Sequence, residues 1–400
     1  MTSYRETWMV EAGTFNISGW NSSYTDGPIA AEEMRRWLDG TVEAILAHRP
    51  QRVLELGCGN GLVLFRVAPH CERYVGCDFS EAVLDHVLRN LEALGDASQR
   101  VILRRQRADD FTGIEHGAFD TVVLNSVVHG FPSADYLLRV LEGAIGAVAR
   151  GGRIFVGDVR NRSLFRAFHA SVQAYRAAPE LPTAELRQRV ERHLDQDCEL
   201  VVEPGMFAAL DKLFPRISAV TVRPKPGGYD NELSRFRYDV TLHLDEPAAA
   251  LPAARWIDWS AGQPSLEALE RELARSEPDV LGVRGVPNAR VLVDCRTAEI
   301  LDGERCPPTT RELLAEAGRI AGGLAVDPDE LLAISERLPY RVELDWASSS
   351  PSGAFDVLFV RRDGDSTATG RPFVFPRATP RTRSWASYTN DPLHGRRRGG

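Results

Sequence analysis

The 400-residue chain has no apolar run that reaches the roughly 18 residues a membrane span needs. Its first residues, M-T-S-Y-R-E-T-W-M-V-E, lack both the basic segment and the apolar stretch of a secretory leader, so a cytoplasmic location is expected. Cysteine is scarce and unpatterned. Cys58, Cys71, Cys77, Cys198, Cys295 and Cys306 form no C-x-x-C pair and have no histidine at finger spacing. That argues against structural zinc and against a disulfide framework, and leaves reduced, mostly buried thiols with no metal site. Positive charge is in deficit: a formal net charge of −8 and a pI near 5.7 argue against a nucleic-acid partner, which needs a basic face. What the chain does have is 43% hydrophobic content, enough for a sizeable core, and a length that favours two or three domains.

From about Gly27 helix-like and strand-like segments alternate, as in a mostly parallel sheet wrapped by helices. Ala30 to Ala47 carries Met34, Trp37, Leu38, Val42 and Ile45 at helical spacing. Strands are predicted at 52–56, 73–77, 101–104, 121–124 and 153–156, with helices at 81–94 and 136–148 between them. Gly151-Gly152 is expected to mark the turn from helix to fifth strand. Two further strands, 217–222 and 236–244, bring the count to seven, a Rossmann-like α/β arrangement. The proline-bearing stretch E-P-A-A-A-L-P-A-A-R after Asp245 is expected to be a linker. Beyond it, helices at 266–275, 309–320 and 327–337 and strands at 340–346 and 355–360, joined by S-S-S-P-S-G, predict a smaller α+β region. The expected division is an arm or lid at 1–27, a core at 28–245, a C-terminal region at 252–362 and a partly disordered tail at 363–400.

The ten residues R-V-L-E-L-G-C-G-N-G, from Arg52 to Gly61, are the most informative. A buried-strand run leads into Gly57, Gly59 and Gly61, with Cys58 between the first two, and glycine lets backbone approach a ligand that a Cβ would exclude. A dinucleotide fingerprint needs G-x-G-x-x-G, and no further glycine follows Gly61 in that pattern. Glu55, just before the first glycine, would repel a pyrophosphate but suits the ammonium of a methionine moiety. The loop therefore points to S-adenosylmethionine.

Asp78, at the end of the second strand and followed by Phe79, is placed to accept ribose hydroxyls. Ser80 would better serve as cap of the helix that follows. After the third strand, Asp109 or Asp110 could accept the adenine amino group while Phe111 lies against the ring, although adjacent loop acids are commonly just solvated. Asn125 ends the fourth strand where the methionine end of the cofactor must lie, and could equally be a loop cap. His129 follows one turn later.

These segments together resemble the methyltransferase domains embedded in nonribosomal peptide synthetases. The resemblance rests on F-N-I-S-G-W-N-S-S-Y at 15–24, the glycine loop, N-S-V-V-H-G-F-P at 125–132, G-G-R-I-F-V-G-D-V-R at 151–160 and N-E-L-S-R-F-R-Y-D-V at 231–240. It continues through G-V-P-N-A-R at 285–290, the helix start at Asp327 and Y-T-N-D-P at 388–392, so it covers nearly the whole chain. It implies a class I, seven-stranded methyltransferase core using S-adenosylmethionine, with N-methylation of an amino acid or an aminoacyl thioester on a carrier protein in natural-product biosynthesis. Some relatives methylate oxygen or sulfur instead. The adenylation and carrier domains that usually surround such a domain are missing, so the chain is expected to be free-standing or excised, and the resemblance implies a nonribosomal peptide synthetase as partner. Asn60 stands where the family more often has Thr. His129-Gly130 stands where Gln-Tyr is common, on the acceptor side.

An amine must be neutral to attack a sulfonium methyl, so a mild base suffices. His129 has the right intrinsic pKa; Glu232 and Asp158 are the other candidates, and Asn231 would orient the acceptor by its amide. For His129 an equal alternative is a hydrogen-bonded pocket wall. Trp20, Asn21 and Tyr24 could close over the cofactor as a lid, or simply pack. The helical stretch 163–175 would line the acceptor pocket. Two other functions stay open: O- or C-methylation of a free small molecule, and a silent module that binds cofactor or synthetase for assembly.

Overall fold

The computed structural model describes residues 13–246, 249, 254–261, 265–323, 325–348, 350–362, 372–376 and 383–393. The leader reading at 1–11, most of the expected linker, and much of the expected tail lie outside these residues.

Seven strands, β1 (Arg52–Leu56), β2 (Arg73–Asp78), β3 (Val101–Arg105), β4 (Phe119–Asn125), β5 (Val148–Arg160), β6 (Ile217–Pro224) and β7 (Arg237–Leu244), form one sheet in the order β3-β2-β1-β4-β5-β7-β6. β1 to β5 pair in parallel, and β7 runs antiparallel between β5 and β6. β1 and β4 are apolar on both faces because helices cover both sides, so they read as continuous hydrophobic runs. Those helices include α1 (Ala31–Leu46), which buries Met34, Trp37, Leu38, Thr41 and Ile45, α2 (Glu81–Asn90) and α3 (Ala134–Ala147). Ser133 caps α3 by accepting the N–H of Tyr136. Strand order reverses beside β1, between β1 and β4, and that crevice is where doubly wound sheets bind ligands.

Several local expectations need correction. Gly151-Gly152 is not the turn ahead of the fifth strand. β5 already begins at Val148, and the two glycines occupy an irregularity where Phe119 pairs with Val148 but Thr121 with Arg153. An added Cβ at Gly152 would meet the Asp120 carbonyl at 2.6 Å, so the glycine permits close strand contact. The helix expected through Leu94 ends at Asn90 and tightens into 3-10 turns to Arg100, broken at Gly95. Between β5 and β6 lie α4 (Phe165–Arg176) and α5 (Thr183–Gln196), the latter not anticipated. The five-residue α6 (Glu232–Phe236) leads into β7.

The C-terminal region holds a four-stranded sheet rather than two strands. β8 (Arg255–Asp258), β9 (Val280–Val286), β10 (Tyr340–Asp345) and β11 (Phe355–Arg361) lie in the order β10-β11-β9-β8. β9 escaped notice because Gly282 and Gly285 interrupt it, and glycine reads as a breaker. Here Gly282 makes room for the Trp256 ring, 2.4 Å from where its Cβ would stand. The helices are α7 (Leu266–Ser276), α8 (Leu292–Asp302), which was not foreseen, and α9 (Thr310–Ala321). The helix expected at 327–337 splits into Pro328–Leu332 and Ile334–Arg337.

The two regions share their interior. One apolar cluster runs from Leu54 through Phe207 and Leu281 to Tyr388, and the Trp346 N–H donates to the Val222 carbonyl at 2.8 Å. Arg290 reaches across to donate to the Lys225 carbonyl at 2.6 Å while paired with Asp327. In the tail, residues 383–393 dock on the core: Asn390 Oδ1 accepts the Val201 N–H at 2.9 Å, and the Tyr388 carbonyl accepts the Glu203 N–H at 2.8 Å.

Candidate active site

The loop after β1 is pinned to β2, because the N–H groups of Gly57 and Cys58 both donate to the Cys77 carbonyl, at 2.7 and 2.9 Å. Gly57 has φ 78°, and a Cβ there would meet Val127 Cγ2 at 2.6 Å, so steric fit and backbone conformation both demand glycine. At Gly59, φ 50°, an added Cβ would meet nothing within 4 Å on the protein side. That leaves open space over the loop. Asp78 braces this geometry: its carboxylate accepts the N–H of Gly59 at 3.1 Å and of Ser80 at 2.9 Å. Ser80 occupies the cap position of α2 as expected, but its side chain makes no capping bond.

Two cavities meet at this loop. One, of about 250 Å³, is lined by Glu55, Cys58, Asn60 and Asn125. The other, of about 580 Å³, is lined by Asp78, Phe79, Arg107 and Tyr136. Gly57, Gly59 and Ser126 border both, so they form one cleft along the ends of β1, β2 and β4. Glu55 is buried and accepts the Tyr74 hydroxyl at 2.8 Å. Burial pushes its carboxyl up to about 7, against the Tyr74 hydrogen bond and with help from the charge of Asp78. Asn125 Oδ1 is buried with no hydrogen-bond partner. The buried Glu55 carboxyl, in a cavity that Asn125 also lines, is a group a cationic amine would satisfy.

The residues expected at the adenine are placed differently. Asp109 accepts the Tyr136 hydroxyl at 2.8 Å and Arg107 Nε at 3.1 Å, and Asp110 accepts the Thr112 N–H at 2.9 Å. The Phe111 ring packs on Gly143 of α3, where a Cβ would sit 2.1 Å from it. None of the three lines the cleft; Phe79, Arg107 and Tyr136 do. The loop acids spend their hydrogen-bonding capacity on closing the loop itself. Gly61 also stands back from the cleft, against Phe65.

A third cavity, of about 570 Å³, lies under the arm and between α4, α5 and α6. Trp20 and Ser126 line both it and the smaller cofactor cavity. Trp20 packs on Trp37 with ring centroids 4.7 Å apart, so the arm residue at the cleft is Trp20. Tyr24 sits elsewhere, in a neighbouring cavity, with its hydroxyl 3.0 Å from Ser171 Oγ and its ring edge-on to Tyr175. That placement takes it away from the cofactor position expected of it.

His129 lines the third cavity, and its Nδ1 is buried without a partner. Burial, and then the Arg237 guanidinium, hold the imidazole pKa below its usual value, opposed by Glu199 and Asp158. Glu232 lines the same cavity; its carboxylate accepts the Ser23 N–H at 2.6 Å and the Ser22 hydroxyl at 3.3 Å, and forms no ion pair among the described residues. Asn231 turns away. Its amide caps α6 by accepting the Leu233 N–H at 2.8 Å and donates to Glu33 at 2.7 Å, so a capping role replaces the acceptor-orienting role.

Asp158 is not available as a base. Its carboxylate is buried and accepts from Trp37 Nε1 at 3.1 Å, from Ser126 Oγ and from Arg237. Burial alone would raise its pKa, but Arg237 and Lys225 outweigh it and bring the carboxyl down to about 2. Its own N–H donates to Asp239 at 2.8 Å, and Asp239 pairs with the fully buried Lys225 at 3.0 Å. Ser126, Trp37 and Arg237 escaped the sequence reading because each acts through a network that only the sheet brings together. Among the described residues no cluster of His, Cys, Asp and Glu could hold a metal ion, and no helix is long and apolar enough to cross a membrane.

Residues 54–154 match a family model described as a methyltransferase domain. Over 390 residues, 96% of this chain, the sequence is 40% identical to chondramide synthase cmdD of Chondromyces crocatus, of which it covers 10%. It is 39% identical over 308 residues to a probable non-canonical nonribosomal peptide synthetase, CymA, of Salinispora arenicola, covering 75% of this chain and 4% of that protein. Beauvericin nonribosomal cyclodepsipeptide synthetase of Beauveria bassiana is 30% identical over 404 residues, 94% of this chain and 12% of its own. The chain thus spans about a tenth or less of the length of these curated relatives.

Proposed function

Because the chain belongs to the S-adenosylmethionine-dependent methyltransferases related to those of nonribosomal peptide synthetases, we propose that it N-methylates an amino acid, most simply as the aminoacyl thioester of a carrier protein. The observation that carries this reading is the cavity next to the cleft, which brings together His129, whose pKa burial holds below its usual value, and Glu232, a carboxylate with no ion pair among the described residues. A primary α-amine arrives as an ammonium, gives up one proton to free its lone pair and, once methylated, departs as a secondary ammonium with one N–H fewer. Glu232 attracts the incoming ammonium, and His129, kept neutral by burial and Arg237, takes the proton so that the nitrogen lone pair is free. Holding both partners in a water-poor pocket supplies the rest.

When bound, S-adenosylmethionine supplies an electrophilic methyl group on a sulfonium. Glu55 and Asn125 would hold its ammonium, the glycine loop its backbone, Asp78 its ribose, and Phe79 with Tyr136 the adenine. The buried Glu55 carboxyl and the open space over Gly59 support that assignment. Trp20 would seal the junction of the two cavities.

Incubating the protein with S-adenosylmethionine and a panel of free amino acids, aminoacyl thioesters and hydroxy-acid analogues, with mass and fragmentation analysis of the product, tests this. A methyl group on nitrogen supports the reading. Methylation confined to the hydroxy acids, or to carbon of a free small molecule, sinks it.

A further inference from the structure

The acceptor cavity also indicates which amino acid it takes, an inference that rests on the amine reading above. Every arginine that lines it is already engaged by carboxylates. Arg160 is held by Asp197, at 2.8 and 3.0 Å, and by Glu199 at 2.7 Å. Arg237 is held by Asp158, and Arg176 by Asp26 at 2.5 Å. In turn Asp197 also accepts His169 at 3.1 Å. Opening the Arg160–Asp197 or Arg237–Asp158 pair to bind a charged side chain would leave a partner charge stranded in a poorly solvated site, which costs more than the new contact returns, whereas the Arg176–Asp26 pair lies at the exposed mouth.

The face of the cavity formed by α4 and Phe236 is apolar and aromatic. Phe168 packs edge-on against Phe236 with centroids 5.3 Å apart, and Phe165 packs against His169 at 4.8 Å. Val172 completes this face from the next turn of α4. The Arg160 guanidinium lies over both Phe165 and Phe168, at 5.6 and 5.3 Å, so even its flat face is covered.

One polar side chain in this wall is unspent. Gln173 lines the cavity, is only 5% exposed, and makes no hydrogen bond among the described residues. Its amide is not among the fully buried unpartnered atoms and so opens to the cavity, where whatever fills the cavity can supply its partner. Gln173 offers two donors and an acceptor but no charge, which suits the carbonyl of an acyl thioester or the amide of a bound amino acid.

We infer that Gln173 is a positioning and specificity residue, and that the cavity selects amino acids with bulky, uncharged side chains. Acidic and basic side chains are refused because the arginines and carboxylates of the wall are already committed to one another. Glu232 is left for the α-amine.

The test uses N-acetylcysteamine thioesters of Phe, Leu, Gly, Asp and Arg with the full chain and saturating S-adenosylmethionine. The expected result is a kcat/KM for Phe and Leu at least about ten-fold above that for Asp and Arg. Gln173→Leu should lower kcat/KM for the Phe thioester by about ten-fold, the scale of one lost hydrogen bond. Gln173→Glu adds an uncompensated carboxylate and should raise the Arg-to-Phe preference ratio, a change that a purely structural residue would not produce. Cofactor affinity by calorimetry confirms that each variant is folded. If Phe is methylated no faster than Asp and Arg, or if Gln173→Glu leaves the preference ratio unchanged, the inference is overturned while the amine reading stands. If no amine is methylated by the wild type, the reading falls and takes the inference with it.

Discussion

Ser126 and Asp158 face each other across the ends of β4 and β5, both with left-handed backbone, φ 53° and 63°, and joined by a hydrogen bond from Ser126 Oγ to Asp158 Oδ2. Left-handed backbone at two non-glycine residues is costly and persists only where the surroundings over-determine it. Here they do: Trp37, Arg237, Asp239 and Lys225 converge on Asp158. Because Ser126 borders all three cavities, the strained pair sets the geometry where they join.

Asp158→Asn keeps a side chain that tolerates left-handed backbone but removes the charge. Leaving Arg237 uncompensated should cost about 3 kcal/mol of stability. Wild-type Asp158 has a folded pKa near 2, below the unfolded value, so its contribution is present above about pH 4 and is lost as pH falls toward 2. Urea unfolding from pH 7 to pH 3 should therefore show the gap between wild type and variant narrowing, to roughly half by pH 3. A gap that does not change with pH would contradict the assignment.

His129→Ala and His129→Gln should each lower kcat by about a hundred-fold or more with little change in cofactor affinity. The fold holds the imidazole pKa below its usual value, so the neutral, proton-accepting form persists as pH falls. The acid limb of the wild-type kcat/KM profile is expected below pH 6.5, the ordinary histidine value, and should vanish in the Gln variant. Unchanged turnover in both variants between pH 6 and 9 would reduce His129 to a pocket wall.

Glu55 carries a pKa of about 7, so it is largely protonated in the free protein under mildly acidic conditions. Cofactor ammonium favours the ionised form, so affinity should rise as pH increases through 7, with release of a proton on binding below that pH. Calorimetry in buffers of different ionisation enthalpy reads both effects. In Glu55→Gln the binding should be weaker by about ten-fold at pH 8 and flat with pH; a retained pH slope would show that another group carries it.

Gly57→Ala and Gly59→Ala should separate two roles of the loop. At Gly57 the new methyl meets Val127 Cγ2 at 2.6 Å, so both thermal stability and cofactor affinity should fall. At Gly59 the protein itself offers space, so thermal stability should change by about 1 kcal/mol at most while cofactor affinity collapses. Equal losses of stability would mean that the space over Gly59 is not the ligand's.

The centre of the seven-stranded core was legible because β1, β2 and β4 are buried on both faces and appear as largely apolar runs. That Glu55, Gly57, Gly59 and Asn125 would line one cleft was legible for a related reason: each sits within a few residues of a strand end at the point where strand order reverses. Asp109, Asp110 and Phe111 have the right distance from β3, yet short-range bonds to Tyr136, Arg107 and Thr112 decide where they point. Tyr24 and Asn231 lie where they do for the opposite reason, since partners more than a hundred residues away fix them. Gln173 gave no signal at all. A single glutamine on an amphipathic helix has nothing to mark it until the surrounding arginines are seen to be paired.

The hydrogen bond from the Trp346 backbone to Val222, set in an apolar interior that both sheets contribute to, bears on where this chain could be cut. A cassette cut after Leu244 would lay bare a face of greasy side chains on β6 and β7 and would take away the Arg290 brace from beneath Lys225. The transplantable unit is therefore the whole span through residue 393, and swapping only the methyl-donor half would carry the chemistry's address without the floor it stands on.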